Sequence, residues 1–201
     1  MSEILESLFG SKSRTRLIRF FLLNTEKEFT IAEISSKNML ASAAVRKELN
    51  EFKKIKFVSE KTKKGTKCYM LDPTFNYYQE LKNLFAKSTS SPQCKSLARI
   101  KNIGEVKLAL ISGVFINHPK SKADMVLVAN NVSRSKLKSV MSSLEAEIGK
   151  EISFVLMNTD EFKYRLDMLD RFLLDFVEDT HVELIDKIPG FKRFMLARKK
   201  Y

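Results

Sequence analysis

The feature that most constrains how this chain folds is the stretch of residues 29–71, in which helix and strand signals alternate at short intervals. Thr30 and Glu33 have the spacing of a capping box, in which each side chain binds a backbone N–H at the start of a helix. This spacing predicts a helix over residues 31–36, preceded by a strand residue, Phe29, and followed by a turn at 37–40.

A second helix is predicted over residues 42–54, with Ser42 as its N-cap. Val45, Leu49 and Phe52 fall within about 60° of each other at ~100° per residue, so they predict its buried face. The opposite face carries small, cationic and amide side chains, namely Ala43, Arg46, Lys47, Asn50 and Lys54. Arginine contacts guanine, asparagine contacts adenine and lysine contacts phosphate, so this mixture is typical of a helix that enters the DNA major groove.

Two short strands, at 56–60 and 67–71, are predicted to form a hairpin whose turn contains Gly65. Four lysines lie at or beside its tip: Lys61, Lys63, Lys64 and Lys67. A hairpin does not need this charge to fold, so phosphate contact is the better explanation. An earlier helix, capped by Ser11 or Ser13, offers Arg14 and Arg16 as further contacts to a DNA backbone.

In this order of elements, residues 29–71 resemble the winged helix-turn-helix of ArsR-like and MarR-like transcription regulators. The resemblance rests on the Thr-x-x-Glu-Ile helix from Thr30, the Ser-x-x-Val-Arg-x-x-Leu pattern from Ser42 and the lysine-rich wing. It implies double-stranded DNA as partner, a homodimer, and a small-molecule or protein effector that the residues do not identify. Lys56 stands where that family usually has glycine, so we expect the turn there to be built differently.

The net charge of +12 is unevenly distributed along the chain. Residues 1–89 carry +7, residues 90–191 are neutral, and the last ten residues carry +5. Positive charge concentrated in one region favours a polyanionic partner, because neutralising phosphates releases counterions. Solubility alone is the other explanation of the charge.

Composition excludes several classes of protein. No run of 18 apolar residues is present and the first residues are acidic rather than basic, so we expect a cytoplasmic protein that does not enter a membrane. Cys68 and Cys94, like His118 and His181, lack ligand spacing. We therefore expect no metal site, no cofactor and no metal sensing of the ArsR type.

A polar, proline-bearing stretch at residues 88–93 is the best domain boundary. We expect a DNA-binding domain over 1–88, an α/β domain over 89–187, and a basic aromatic tail over 188–201. The overall fold class is mixed α/β (α+β).

In the second domain a helix with Leu97 and Ile100 is predicted before strands at 106–113 and 124–128. A helix capped by Ser133, a strand at 152–157, one long amphipathic helix over 159–176 and an edge strand at 181–185 follow. This arrangement resembles the minimal nucleotidyltransferase fold of the polymerase-beta superfamily.

In that superfamily a strand ends in a Gly-Ser pair, and three aspartates on the following strands hold two Mg²⁺ ions for phosphoryl transfer. Gly113 falls on the family glycine, but Val114 stands where the serine belongs. Asp124 falls on the second aspartate, but Lys122 replaces the first. One carboxylate beside a lysine does not organise two Mg²⁺ ions, so we expect no catalytic residues and no enzyme activity.

The leading hypothesis is therefore a DNA-binding transcription regulator whose degenerate nucleotidyltransferase-like domain serves sensing, dimerisation or partner binding. Two alternatives remain open. One is an active nucleotidyltransferase guided to a nucleic-acid or protein substrate, and the other is an antitoxin-like partner-binding protein.

Overall fold

The computed structural model describes residues 3–63, 65–89 and 94–191. The chain divides into two compact units, Met1–Thr89 with Ser142–Glu151 and Ser90–Met141 with Ile152–Tyr201. Helices combine with small antiparallel and mixed sheets, which confirms the α+β fold class. Lys64 and most of the basic tail, residues 192–201, lie outside the described residues.

The first unit begins with two helices and continues with a helix pair and a hairpin. Its elements are α1 (Glu3–Leu8), α2 (Lys12–Leu23), β1 (Phe29–Thr30), α3 (Ile31–Asn38), α4 (Ser42–Lys54), β2 (Val58–Lys63), β3 (Thr66–Leu71) and α5 (Tyr78–Thr89). The strands form an antiparallel sheet in the order β1-β3-β2. This order of elements is the one expected of a winged helix-turn-helix.

Local signals in the sequence placed most helix starts correctly. The Thr30 N–H donates to Glu33 Oε2 at 2.7 Å and the Glu33 N–H donates to Thr30 Oγ1 at 3.3 Å, so the capping box is confirmed. Ser11 caps α2 through the Arg14 N–H. The prediction that Ser42 caps α4 was wrong, because the N-cap is Ala41 and the Ser42 hydroxyl shares a hydrogen bond with Ser35 instead.

The apolar stripe of α4 packs into an aromatic core. Val45, Leu49 and Phe52 are 0, 1 and 3 % exposed, which confirms the predicted buried face. Phe57, at 1 % exposure, lies just after this helix and its ring contacts that of Phe52 at 5.0 Å between centroids. The buried stripe fixes which side of α4 faces solvent.

A left-handed residue joins α4 to the hairpin. The Phe57 N–H donates to Phe52 O at 2.9 Å and the Lys56 N–H donates to Lys53 O at 3.1 Å, while Lys56 has φ 55°. These bonds, with the Phe52–Phe57 contact, make a Schellman motif. The expectation that Lys56 demands a differently built turn was wrong, because the lysine adopts the conformation that favours glycine.

Replacing Lys56 with glycine should therefore stabilise the chain. Removing the left-handed strain is worth about 1–2 kcal/mol, partly offset by the greater entropy of glycine in the unfolded chain, so a net gain of up to about 1 kcal/mol is expected. Denaturant unfolding of the full chain measures it. Lys47→Gly, an exposed lysine inside α4, is the matched control and should cost about 1 kcal/mol. A Lys56→Gly variant as destabilised as the control would contradict this account.

The second unit contains a mixed sheet with helices. Its elements are a 3₁₀ segment (Lys95–Asn102), β4 (Glu105–Ile111), a 3₁₀ turn (Gly113–Phe115), β5 (Met125–Asn130), α6 (Arg134–Ile148, whose residues from Ser142 belong to the first unit), β6 (Phe154–Met157), α7 (Thr159–Asp167), α8 (Arg171–Glu178) and β7 (Val182–Asp186). The strand order is β6-β5-β4-β7, with β5 and β6 parallel and the other neighbours antiparallel. The predicted edge strand is therefore confirmed as β7.

The predicted long helix over 159–176 is two helices. Leu169 has φ 53°, a conformation that a right-handed helix cannot contain, and Asp170 then caps α8 by accepting the Leu173 N–H at 3.0 Å. The apolar spacing of residues 159–176 continues across this break, so the spacing alone did not reveal it. None of the helices in the described parts of the chain combines the length and apolar character that a membrane crossing requires.

Candidate nucleic-acid interface

The candidate interface is the solvent-facing side of α4, which lies opposite its buried stripe. The five residues that the sequence assigned to this face are exposed, as is Ser42, the further candidate for DNA contact at the helix start: Ala43, Arg46, Lys47, Asn50 and Lys54. Since the buried stripe packs into the core, these side chains project together from one rigid helix. The face is small at Ala43 and polar or cationic elsewhere.

The cations on and around this face differ in whether they have a carboxylate partner. Lys54 Nζ lies 2.7 Å from Glu51 Oε1, one turn earlier. Arg46 and Lys47 form no ion pair with any residue that the structure describes. The two charges nearest the helix start are thus the ones available to an outside anion.

The hairpin is longer than predicted and carries its lysines on strands. Lys61 and Lys63 lie in β2, which ends at Lys63, and Lys67 lies in β3, which begins at Thr66; all three lysines are exposed. Each of the three described lysines has a carboxylate partner within the first unit. These carboxylates were not anticipated from the sequence.

Glu60 links the hairpin to the end of α4. Its Oε2 lies 2.7 Å from Lys53 Nζ and its Oε1 lies 2.7 Å from Lys67 Nζ. The two ammonium groups lower the pKa of Glu60 to about 2, and Glu60 in turn raises the pKa of Lys67. The arrangement holds the hairpin in one position beside the helix.

Glu28, which precedes β1, is the second carboxylate that pairs with lysines of the hairpin. Lys63 Nζ lies 2.7 Å from Glu28 Oε2, and Lys61 Nζ lies 3.9 Å from Oε1. The Oε2 atom is buried, and its short contact with the Lys63 ammonium is the main stabilisation of the charged Glu28 carboxylate. The nearby Lys63 ammonium lowers the pKa of Glu28. Such a pair can exchange for another anion.

Arg14 and Arg16, assigned from the sequence to DNA backbone contacts, are engaged within the unit. Arg14 Nε donates to Glu48 Oε2 at 2.8 Å, and Glu48 is a buried residue of α4. Arg16 Nη1 donates to Asn38 O at 3.0 Å, at the C-terminal end of α3. Both arginines therefore stabilise the packing of the helices, and both remain partly exposed.

The Glu60 contacts should make stability depend on pH in a defined window. Because the folded pKa is about 2 and the ordinary value is 4.5, the stabilisation is fully present above pH 4.5 and is lost as the pH falls towards 2. Glu60→Gln should therefore lower the thermal midpoint at pH 7, and its deficit relative to the parent should shrink between pH 4.5 and 2. Glu26→Gln, an exposed glutamate without an ion pair among the described residues, is the control. A deficit that does not change with pH would refute the link.

In the second unit, the four residues of the nucleotidyltransferase-like motif lie at the junction of β4 and β5. Asp124 Oδ1 accepts the Val114 N–H at 2.8 Å, and Oδ2 accepts the Ser153 N–H at 2.8 Å. Gly113 has φ 52°, and a Cβ there would lie 2.0 Å from Asp124 Oδ1. Both carboxylate oxygens of Asp124 thus hold the backbone of this junction.

Lys122, which lies in the connection between β4 and β5, is paired with a carboxylate. Its ammonium contacts Asp175 of α8 and lowers the pKa of that carboxyl group. His118 Nε2 lies 2.9 Å from Asp179 Oδ2, which adds a second contact between this loop and the end of α8. Within the described ranges, no three His, Cys, Asp or Glu side chains are grouped so that they could hold a metal ion.

Comparisons with known proteins give little beyond these observations. No family model and no curated protein matches the chain. A solved structure of reduced HlyU from Vibrio cholerae N16961 is similar over 42 % of this chain and 84 % of that one, at 18 % identity and a TM-score of 0.33. A likeness of this extent does not establish a shared function.

Proposed function

We propose that this chain is a transcription regulator that binds double-stranded DNA with α4 in the major groove. The observation that carries the proposal is the exposed face of α4, on which Arg46 and Lys47 lack an internal carboxylate partner among the described residues while Asn50 lies beside them. Arginine forms a pair of hydrogen bonds with the edge of guanine, and asparagine forms a pair with the edge of adenine. Ala43 leaves room for the backbone to approach the bases.

The hairpin contributes the phosphate contacts in this proposal. Lys61, Lys63 and Lys67 lie on exposed strand surface, and in this proposal Lys63 exchanges its contact with Glu28 for a DNA phosphate. A single small module makes few contacts, so we propose a homodimer that binds two half-sites. Large apolar side chains exposed on α1 and α5, namely Ile4, Leu8 and Leu84, are available for such an association.

We propose a role without catalysis for the second unit, such as sensing, dimerisation or binding of a partner. The support is chemical: the Asp124 carboxylate is already used by two backbone N–H groups, and Lys122 brings a cation to a position where a metal ion would need a carboxylate. The identity of an effector does not follow from these residues.

Selection of bound duplexes from random DNA, followed by titration of the selected sequence, tests the DNA-binding proposal. An inverted repeat is expected, since two copies related by a twofold axis contact equivalent half-sites. Arg46→Ala should weaken binding to the selected sequence by about 1–3 kcal/mol and relax the preference at one base pair of each half-site. Failure to enrich any sequence would count against the proposal.

Lys63→Ala provides the complementary measurement in the same titrations. It should weaken binding to selected and random DNA by the same factor and lower the salt slope by about one, because a phosphate contact carries no sequence information. Lys12→Ala removes an exposed lysine of α2 that has no ion pair among the described residues and is the control. The proposal is contradicted if Arg46→Ala and Lys63→Ala both bind like the Lys12 control.

Asp124→Asn tests the proposed structural role of that carboxylate. An asparagine amide nitrogen cannot accept an N–H, so one of the two backbone bonds is lost and the unit should be destabilised by about 1–3 kcal/mol. Asp167→Asn, an exposed residue of α7, should cost little. Incubation of the parent with labelled ATP and Mg²⁺ should give no transfer of label, and transfer that disappears in Asp124→Asn would overturn the proposal.

A further inference from the structure

The neutral net charge of residues 90–191 conceals a strong segregation of charge. Two segments, residues 94–104 and 131–144, hold six of the region's 14 basic residues and none of its 14 acidic ones. The basic residues are Lys95, Arg99, Lys101, Arg134, Lys136 and Lys138. The remainder of the region is correspondingly acidic.

The fold of the second unit brings these two segments side by side. The Ser133 N–H donates to Ile103 O at 2.8 Å, and Arg99 Nη2 donates to Ser139 Oγ at 3.4 Å. Buried apolar side chains, including Ile100 and Val140, lie beneath the contact. The 3₁₀ segment and the first half of α6 therefore form one continuous surface.

A groove runs along this surface, and apolar atoms make up most of its lining although five of its six wall residues are polar or charged. Its walls are Arg99, Asn102, Ser135, Lys136, Ser139 and Val140. Of these only Val140 is apolar, and it is buried. We name this groove, with the neighbouring Lys101, Arg134 and Lys138, the basic groove.

Four cations of the basic groove lack an ion pair with the described residues, unlike other cations of the unit. Lys101, Arg134, Lys136 and Lys138 are exposed, and none forms an ion pair with a residue that the structure describes. Elsewhere in the unit, Lys107, Lys122 and Arg165 each contact a carboxylate. Unpaired like charges repel one another, so their grouping costs stability that an anionic ligand would recover.

We propose that the basic groove binds the phosphate backbone of a nucleic acid. Guanidinium, ammonium and serine hydroxyl groups are together here, and these are the groups that contact phosphate oxygens in protein–nucleic acid complexes. The first turn of α6 adds the positive end of the helix dipole, which also favours phosphate, although the Lys136 N–H already donates to Ser133 Oγ at 3.5 Å.

An acidic protein fits the groove less well. Protein interfaces combine charge with an apolar centre, whereas the large exposed apolar side chains of this unit lie on other elements, namely Phe154, Tyr164, Met168 and Leu169. The basic groove is also separate from the motif around Asp124. That residue precedes the start of β5, while α6 begins after its end, and a six-residue strand spans about 20 Å.

Lysine acetylation of the full chain, read by peptide mass spectrometry, tests the proposal. The probe is a random-sequence DNA duplex at saturating concentration. Lys101, Lys136 and Lys138 should be labelled several-fold more slowly with DNA than without it. Lys120 and Lys163, exposed lysines of the same unit without an ion pair among the described residues, should be labelled at an unchanged rate. Equal rates with and without DNA at the groove lysines would overturn the proposal.

Two further arms isolate the cause of any protection. In an Arg46→Ala/Lys47→Ala background the groove lysines should still be protected, so failure of α4 to bind DNA and failure of the basic groove are distinguishable. Poly-L-glutamate at the same charge concentration should protect them less. Equal protection by poly-L-glutamate would show that the surface responds to negative charge alone and would overturn a phosphate-specific site.

A double variant gives an independent readout. Arg99→Gln/Lys136→Gln should lower the salt slope of binding to random DNA by up to about two, because each lost phosphate contact removes close to one released counterion. Lys120→Gln/Lys163→Gln removes the same charge from the same unit and should leave the slope unchanged. Indistinguishable slopes for the two double variants would contradict the proposal.

Discussion

The first unit depends on the packing of one phenylalanine. The Phe57 ring contacts Phe21 of α2, Phe52 of α4 and Phe75 before α5, and its main chain accepts the Asp72 N–H at the end of the hairpin. Phe57 can reach all of these only because Lys56 reverses the chain in a left-handed conformation. The same turn directs β2 away from the helix end, so core packing and the placement of the hairpin have one cause.

Ion pairs then fix the positions of side chains on the helices and strands that the core has positioned. Glu60 connects the last turn of α4 to β3 through two lysines, whereas Glu28 pairs with two lysines of a single strand, β2. Exposed ion pairs contribute little to stability, so the value of these carboxylates lies in fixing side-chain positions before a partner arrives. They also lower the positive potential of the hairpin, whereas Arg46 and Lys47 on α4 form no ion pair with a described residue. These carboxylates therefore weaken the attraction of the hairpin to any polyanion but leave the contacts made by α4 unchanged.

Signals that act over a few residues could be predicted, and contacts across the fold could not. The capping box at Thr30, the stripe on α4 and the wing strands follow from spacing along the chain. Glu28 and Lys63, or Arg14 and Glu48, are too distant in sequence for any spacing to reveal their pairing. The break at Leu169 could not be predicted for a different reason. The apolar pattern of α7 and α8 continues across it, but the helical conformation of the backbone does not.

The second unit shows why net charge is a poor guide to binding. Carboxylates and cations cancel in the total, but the cancellation occurs only where they meet, as at Lys122 and Asp175. At an ionic strength near 0.15 M the Debye length is about 8 Å. Acidic groups farther away than this therefore hardly lower the positive potential at an exposed lysine. The potential over the basic groove is therefore set by its own five cations and by the absence of acidic residues from the two segments that carry them, and a neutral domain can attract phosphate as a basic one does.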